Sequence, residues 1–391
     1  MKVALKKLVE IKSGYSPSTF ELMEIGTIPY VKVEDLNNCT KYQCESREYC
    51  EDADRSVPAG SIIFPKRGGA IMNNKVRITA TDICMDTNMM AIIPNGKIQS
   101  EFLYYTITHE KLSRIADTST IPQINNKHIN PYKVALPPLP EQKAIADMLS
   151  TWDEAIEKTE RLIQAKEASL KDHIQRMMGK EAIEANGWSM VHLGSLFSEV
   201  TRKVGEKKLT PYSISAGIGF VSQREKWGKD ISGSQHKNYT HLKAGEFSYN
   251  KGNSKRYQQG CVYLLKEGEI CVPNVFISFK PKAKNVVPEF FEHYFIADYH
   301  ARELRRYITS GARSDGLLNL NKKDYFKIMV PCPSPDEQKA IAEALTASQH
   351  EIDLLKQLGE KYKTQKRGLM QKMLTSEWRV KPEIVNQYME V

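Results

Sequence analysis

Glu141-Gln142-Lys143-Ala144-Ile145-Ala146 returns as Glu337-Gln338-Lys339-Ala340-Ile341-Ala342, and this recurrence decides how the chain is read. The copies stand 196 positions apart, and their surroundings keep step. Upstream, Lys133-Val134-Ala135-Leu136-Pro137-Pro138 answers Lys327-Ile328-Met329-Val330-Pro331-Cys332. Downstream, Ile174-Gln175-Arg176-Met177 answers Met370-Gln371-Lys372-Met373 at the same offset. Weaker echoes keep their order: Val3–Leu8 with Val191–Leu196, Val57–Gly60 with Leu242–Gly245, and Glu101-Phe102-Leu103 with Glu289-Phe290-Phe291. The offset drifts, as loop insertions and deletions would make it. A repeat of roughly 190 residues is too long for a solenoid, so the chain reads as a tandem duplication of one whole unit.

Each unit has two parts. The first mixes short apolar runs with glycine-containing turns, such as Ile28-Pro29-Tyr30-Val31-Lys32-Val33, Ser61-Ile62-Ile63-Phe64 and Cys261-Val262-Tyr263-Leu264-Leu265, which read as strands. Glu101–Ala116 and Pro288–Tyr307 carry helical periodicity inside the same globule. The second part is one long helix. Ile145, Leu149, Trp152, Ile156, Leu162, Ile163, Leu170, Ile174 and Met177 form one stripe; Ile341, Leu345, Ile352, Leu355, Leu358, Tyr362, Leu369, Met370 and Met373 form the other. Ser334-Pro335-Asp336-Glu337 supplies a start signal, with an N-cap serine, a proline at the first position and a capping-box glutamate. Leu139-Pro140-Glu141-Gln142 keeps the proline and the acid, and breakers follow at Gly179 and Pro382. About 38 residues rising 1.5 Å each span roughly 57 Å. A helix of that kind needs a partner for its apolar stripe, and the other copy is the obvious one.

The expected fold is therefore α/β of mixed α+β type: two similar globules separated by two long helices that form an antiparallel coiled coil. The boundaries are 1–138 for the first globule, 139–185 for the first spacer helix, 186–334 for the second globule, 335–380 for the second helix and 381–391 for a tail. A usual domain size of about 150 residues agrees with more than one core. Hydrophobic residues at 41% and a mean hydropathy of −0.48 exclude a disordered chain and a membrane protein. The first residues, Met1-Lys2-Val3-Ala4-Leu5-Lys6-Lys7, lack the long apolar stretch of a secretory signal, which gives a cytoplasmic expectation and no membrane partner.

Chemistry is hard to place in this chain. The three cysteines Cys39, Cys44 and Cys50 lack the paired spacing of a zinc knuckle and have no histidine nearby. Asn130-Pro131-Tyr132 lacks the second proline of an adenine-holding loop, and no glycine-rich strand–turn fingerprint precedes it. Pro335-Asp336-Glu337-Gln338-Lys339 has the residues of a nuclease motif, but on one helix turn where capping accounts for them. Gly217-Ile218-Gly219 is a lone glycine pair, and no phosphate loop or zinc-protease motif occurs. The chain reads as non-catalytic, without a cofactor or metal of its own.

A surface for nucleic acid remains. The net charge of +9 and a pI near 8.9 favour an anionic partner. Turns in the first globule carry Lys66, Arg67, Asn73, Lys75 and Arg77, and the loop before the first long helix carries Gln123, Asn125 and Lys127. The second globule offers Arg224, Lys226, Trp227, Asn250, Lys251, Lys255, Arg256 and Tyr257, with Arg313 and Lys322 ahead of its helix. Cations grip phosphates or guanine edges, and carboxamides pair bidentately with adenine.

The pattern resembles the specificity subunit of a type I restriction-modification system. The resemblance rests on the doubled junctions Pro138-Leu139-Pro140-Glu141-Gln142 and Pro333-Ser334-Pro335-Asp336-Glu337-Gln338. It also rests on Ile28-Pro29-Tyr30-Val31-Lys32 and on Arg367-Gly368-Leu369-Met370-Gln371-Lys372-Met373-Leu374. It implies two target-recognition domains, each reading half of a bipartite, asymmetric site in double-stranded DNA, with the helices as a ruler. It further implies docking of two methyltransferase subunits that carry S-adenosylmethionine, and a restriction subunit using ATP and Mg as a further partner. Trp378-Arg379-Val380 echoes Trp188-Ser189-Met190-Val191, which suits the near-circular organisation of that family. The competing reading is a coiled-coil adaptor for proteins, without sequence-specific DNA binding. A fragment of a fused enzyme is a weaker competitor, because residues 1 and 391 fall at unit edges.

Overall fold

The structure is a computed structural model that describes residues 2–252, 254–308 and 317–389. The chain divides into two compact units: Met1–Glu160 with Gln357–Val391, and Arg161–Lys356. Along the chain run β1 (Lys2–Ala4), β2 (Val9–Ser13), β3 (Ile28–Val31), β4 (Tyr42–Gln43), β5 (Tyr49–Cys50), β6 (Ile62–Pro65), β7 (Arg77–Thr79), β8 (Cys84–Met85) and β9 (Met89–Pro94). Then come α1 (Ser100–Glu110), α2 (Leu112–Ile115), α3 (Asn126–Ile129), β10 (Lys133–Ala135), α4 (Leu139–Met178) and α5 (Lys180–Ala185). The second copy continues with β11 (Ser189–His192), α6 (Leu193–Leu196), β12 (Phe197–Glu199), β13 (Tyr212–Ser215), β14 (Gly219–Ser222), α7 (Gln223–Trp227), β15 (Thr240–Lys243), β16 (Phe247–Asn250), β17 (Cys261–Leu264), β18 (Glu269–Val272) and β19 (Ile277–Pro281). It closes with α8 (Pro288–Ile296), α9 (Ala301–Leu304), α10 (Lys322–Tyr325), β20 (Met329–Cys332), α11 (Pro335–Leu374) and α12 (Pro382–Asn386).

The duplication is visible in the strand order. The first unit's main sheet runs β2-β9-β6-β7-β4, and the second unit's runs β12-β19-β16-β17, so the first four positions correspond one to one. In each unit the first and last strands of the globule pair antiparallel: Val3 faces Val134, and Val191 faces Val330. That closure brings the junction before each long helix back to the start of its own globule. Matching positions hold different side chains. Ile62 faces Ile92 in one sheet, whereas Phe247 faces Phe279 in the other, with ring centroids 5.1 Å apart and stacked. One core is largely aliphatic and the other much richer in aromatic rings, which explains why the globules share so few letters while sharing a plan.

The single helices expected over Glu101–Ala116 and Pro288–Tyr307 are each broken. Lys111 takes φ 66° and Asp298 takes φ 63°, splitting α1 from α2 and α8 from α9. In the first unit the cause is Asn74: its amide donates to the Thr108 carbonyl and its oxygen accepts from Leu112 N–H, satisfying both sides of the interruption.

α4 and α11 are each 40 residues long. Within the first unit Trp152 lies edge-on to Tyr362 at 5.5 Å, and Lys363 pairs with Glu160 at 2.9 Å. Within the second, Lys166 pairs with Glu351 at 2.8 Å and Lys356 with Glu167 at 2.6 Å. Residue numbers rise on one helix as they fall on the other, so the pair is antiparallel. These ion pairs are half exposed and each contributes little. The seam rests on buried Ile145, Leu149, Leu170, Leu345, Ile352, Met370 and Met373. Leu162 and Leu358, assigned to the stripes from sequence, are exposed at 44% and 38%. α11 stops at Leu374, eight residues before Pro382, in a turn where Ser376 has φ 59°.

The repeated Glu-Gln pair fastens each helix start. Gln142 and Gln338 are buried. Gln142 accepts from the N–H of Gln99, the residue capping α1, at 2.8 Å and donates to the Pro137 carbonyl at 2.8 Å. Gln338 repeats this with Val287, ahead of α8, at 2.9 Å and Pro333 at 2.9 Å. The glutamates differ. Glu337 forms the expected capping box with Ser334 and also accepts from Trp188 Nε1 at 3.1 Å. Glu141 instead takes the Arg379 guanidinium and the Val380 N–H from the end of the chain. Among the described residues no helix is long and apolar enough to cross a membrane.

Candidate nucleic-acid interface

In each unit the chain leaving the third sheet strand runs beside the loop that precedes the last short helix. In the first, Ile124 N–H donates to the Lys66 carbonyl and Gly68 N–H to the Pro122 carbonyl, both at 2.9 Å. Arg67 therefore faces Gln123 in a bridge, and Gln123 is bridged on its other side to Asp117. In the second unit Leu318 N–H donates to the Lys251 carbonyl at 3.0 Å, and Gly252 bridges Leu317. Two segments singled out separately in the sequence thus form one edge in both copies, with Lys66 and Lys251 at equivalent places.

On the first edge Arg67, Asn125 and Lys127 are exposed, and Lys66 and Gln123 are half-buried. Burial, followed by the neighbouring Arg67 charge, lowers the Lys66 pKa. Asn125 also fixes the start of α3, its N–H donating to His128 Nδ1 at 3.1 Å. Asn73 is exposed, and Lys75 donates to Asn37 Oδ1 at 2.6 Å. Arg77 stands apart. Its guanidinium donates to the carbonyls of Cys39, Val76 and Leu36, so it stitches backbone together.

In the second unit β13 and β14 form a hairpin. Arg224, Lys226 and Trp227 lie exposed on α7 at its far end, with Lys226 Nζ 4.9 Å from the Trp227 ring centre. Ser222 and Glu225 form a capping box that starts α7, and Gly228 at φ 72° ends it. Arg256 approaches the other end of the hairpin: a Cβ built on Gly217, whose φ is 83°, would come within 3.3 Å of Arg256 Nη1. The set is thus split along a four-residue strand, a separation of about 13 Å. Asn250 holds the backbone locally, accepting from Gly252 N–H and donating to the Ile214 carbonyl. Lys251 donates to the Leu320 carbonyl, and exposed Lys322 pairs with Glu199. Lys255 is exposed, but Tyr257 is 3% exposed, its hydroxyl donating to the Ile296 carbonyl. Tyr257 is a core residue in this fold, and Arg313 lies outside the described residues.

The sequence reading passed over exposed Lys203 and Lys237: Lys203 is bridged to Thr240, Lys237 lies on the short 3-10 helix just before it, and Gly205 N–H donates to the Lys237 carbonyl at 3.1 Å. The charge run Arg202-Lys203-Val204-Gly205-Glu206-Lys207-Lys208 was the available signal. Tyr132 of the Asn-Pro-Tyr stretch packs on the core and bonds Glu110, a structural role. Among the described residues no three His, Cys, Asp or Glu side chains converge as a metal site would require.

Comparison with known proteins agrees with this architecture. The chain is 26% identical to a putative type I restriction enzyme MjaX specificity subunit of Methanocaldococcus jannaschii, over 94% of this chain and 86% of that one. In fold it is similar to the type I restriction-modification S subunit from M. genitalium, with TM-score 0.58, 15% identity and 96% of each chain covered. A chain from a structural study of complex assembly and conformational transition of the type I R-M system gives TM-score 0.55 at 13% identity, covering 97% and 98%. The sequence pattern of the type I restriction modification DNA specificity domain matches twice, over residues 1–167 and 187–363, and on that doubled match the chain belongs to this family.

Proposed function

We propose that this chain is the DNA-reading subunit of a type I restriction-modification complex, each globule recognising one half of a bipartite, asymmetric site. The supporting observation is the pair of equivalent edges built on one strand order but furnished with different exposed side chains. Equal scaffolds place two readers alike; unequal side chains make them read different bases. The long helices set the number of unread base pairs between the halves and dock two methyltransferase subunits. Those partners hold S-adenosylmethionine and carry out the chemistry, and a restriction subunit with ATP and Mg joins them. This chain contributes recognition, in the cytoplasm, and no catalytic group. The adaptor reading is disfavoured by family membership, since the family is one of DNA specificity domains.

The test is co-expression with the methyltransferase subunit of the same system, followed by mapping of methylated adenines in host DNA. A bipartite, asymmetric methylated motif that disappears when this chain is deleted is the expected result. A motif that persists without the chain, or a single continuous motif, would reject the proposal.

A further inference from the structure

Ile121 is 71% exposed, while Ile124, three residues on, is completely buried in the first unit's core. A single exposed apolar residue means little by itself. Its placement is what matters. Asp117 and Gln123 exchange both backbone hydrogen bonds at 2.9 Å, so residues 118–122 form a tight loop with Ile121 on its outer part. The loop is held from within, since the Asp117 carboxylate accepts from both the N–H and the hydroxyl of Ser119. It is held from outside too, since the Pro122 carbonyl accepts from Gly68 beside Arg67. Ile121 stands at a bend two residues before Gln123, whose bridge to Arg67 flanks the loop, so the exposed Ile121 is a close chain neighbour of that bridge. The fold thus gathers a guanidinium, a carboxamide and a branched apolar residue at neighbouring positions of one loop edge.

That trio matches the chemistry of the major groove. A guanidinium suits guanine O6 and N7, a carboxamide suits adenine N6 and N7, and the remaining feature there is the thymine C5-methyl, which only apolar contact can read. We propose that Ile121 is a specificity-determining residue that reads the methyl group of one thymine in the half-site recognised by the first globule. This rests on the DNA-reading function above and names a base feature for it. A wedge pushed between base steps is the other use of an apolar residue on DNA, but wedges work from the minor groove, where Arg67 and Gln123 would lose most of their discriminating partners.

The test uses the complete complex with its methyltransferase subunits and duplexes bearing its mapped motif. Each thymine in turn is replaced by deoxyuridine, which differs by that methyl alone. Affinity of the unaltered complex should fall about four-fold at one position in one half-site, the worth of one buried methyl. Ile121→Ala should bind the thymine duplex more weakly and lose nothing further at that position, whereas Ile121→Val should keep the sensitivity. Because Ile121 lies outside the core, its melting temperature should stay unchanged. An unaltered complex indifferent to every uracil, or an alanine variant that stays sensitive, would overturn the proposal. A complex without sequence-selective binding would be a separate failure, that of the DNA-reading function itself.

Discussion

Gln142 and Gln338 show how much one side chain can fix when it is buried with both ends used. Each bridges the start of a long helix to the start of a globular helix. Replacing Gln142 by alanine strands the half-buried Gln99 N–H and the buried Pro137 carbonyl, a loss of about 1–3 kcal/mol. A lowered urea midpoint for the chain should report it, and an unchanged midpoint would mean that water replaces the clamp. Glu141 adds a pH-dependent contact. The Arg379 guanidinium, aided by the Val380 N–H, holds its carboxyl below the usual value of 4.5 against the opposing effect of burial. A depressed folded-state pKa stabilises above the unfolded value and loses that stabilisation as pH falls through the folded one. Arg379→Gln should therefore lower the melting temperature at pH 7, with the difference from the unaltered chain shrinking as pH is taken below 4.5. A difference independent of pH would point to lost packing instead.

At the level of elements, the long helices carry the clearest quantitative expectation. Four residues inserted after Glu160 in α4 and four after Lys356 in α11 lengthen each by about 6 Å, close to two base pairs of B-DNA. Four residues exceed a full turn by only about 40°, so the apolar stripes resume near their former faces. The point chosen lies beside exposed Leu162 and Leu358, where the seam buries least. Mapped methylation motifs should keep both half-sites and gain about two unread base pairs; an unchanged gap would defeat the ruler role. The helices were legible in the sequence because their signal is local: a stripe, a proline, an N-cap. Short strands such as Ile62–Pro65 and Cys261–Leu264 were legible for the same reason. Their order in the sheet was not, because β2 meets β9 across most of a globule and periodicity says nothing about partners. The helix break at Lys111 was hidden likewise, since its cause, Asn74, lies far back in the chain. Among polar loop residues the sequence could not separate Arg67, which stays on the surface, from Arg77, which binds three carbonyls, or exposed Lys255 from buried Tyr257. Composition of a loop does not reveal which side chains turn inward.

For the molecule as a whole, the two units differ in how the chain supplies them. Arg161–Lys356 is continuous, and its aromatic core, from Leu170 through Phe247 and Phe290 to Ile352, lies entirely within that stretch. The other unit is assembled from both ends of the chain: Met370, Met373, Leu374 and Val380 are buried in the same cluster as Leu5, Phe102 and Leu149. A fragment of residues 161–356 should thus melt in one cooperative transition. A fragment of residues 1–160 should expose apolar surface, bind a hydrophobic dye and melt broadly, until a peptide of residues 357–391 is added and restores a sharp transition. Cooperative melting of 1–160 that ignores the peptide would refute this division. The same arrangement predicts the direction of damage. Val380→Asp places a charge in the first unit's core, far along the chain from the Arg67–Gln123 edge but in the same buried cluster as Phe64 and Ile124 beside that edge. Discrimination should fail first in the half-site read by the N-terminal globule, while the half-site read from residues 186–334 keeps its selectivity. Equal loss in both would mean that the units do not fold separately, and the damage would then have to be assigned to the chain as one cooperative body.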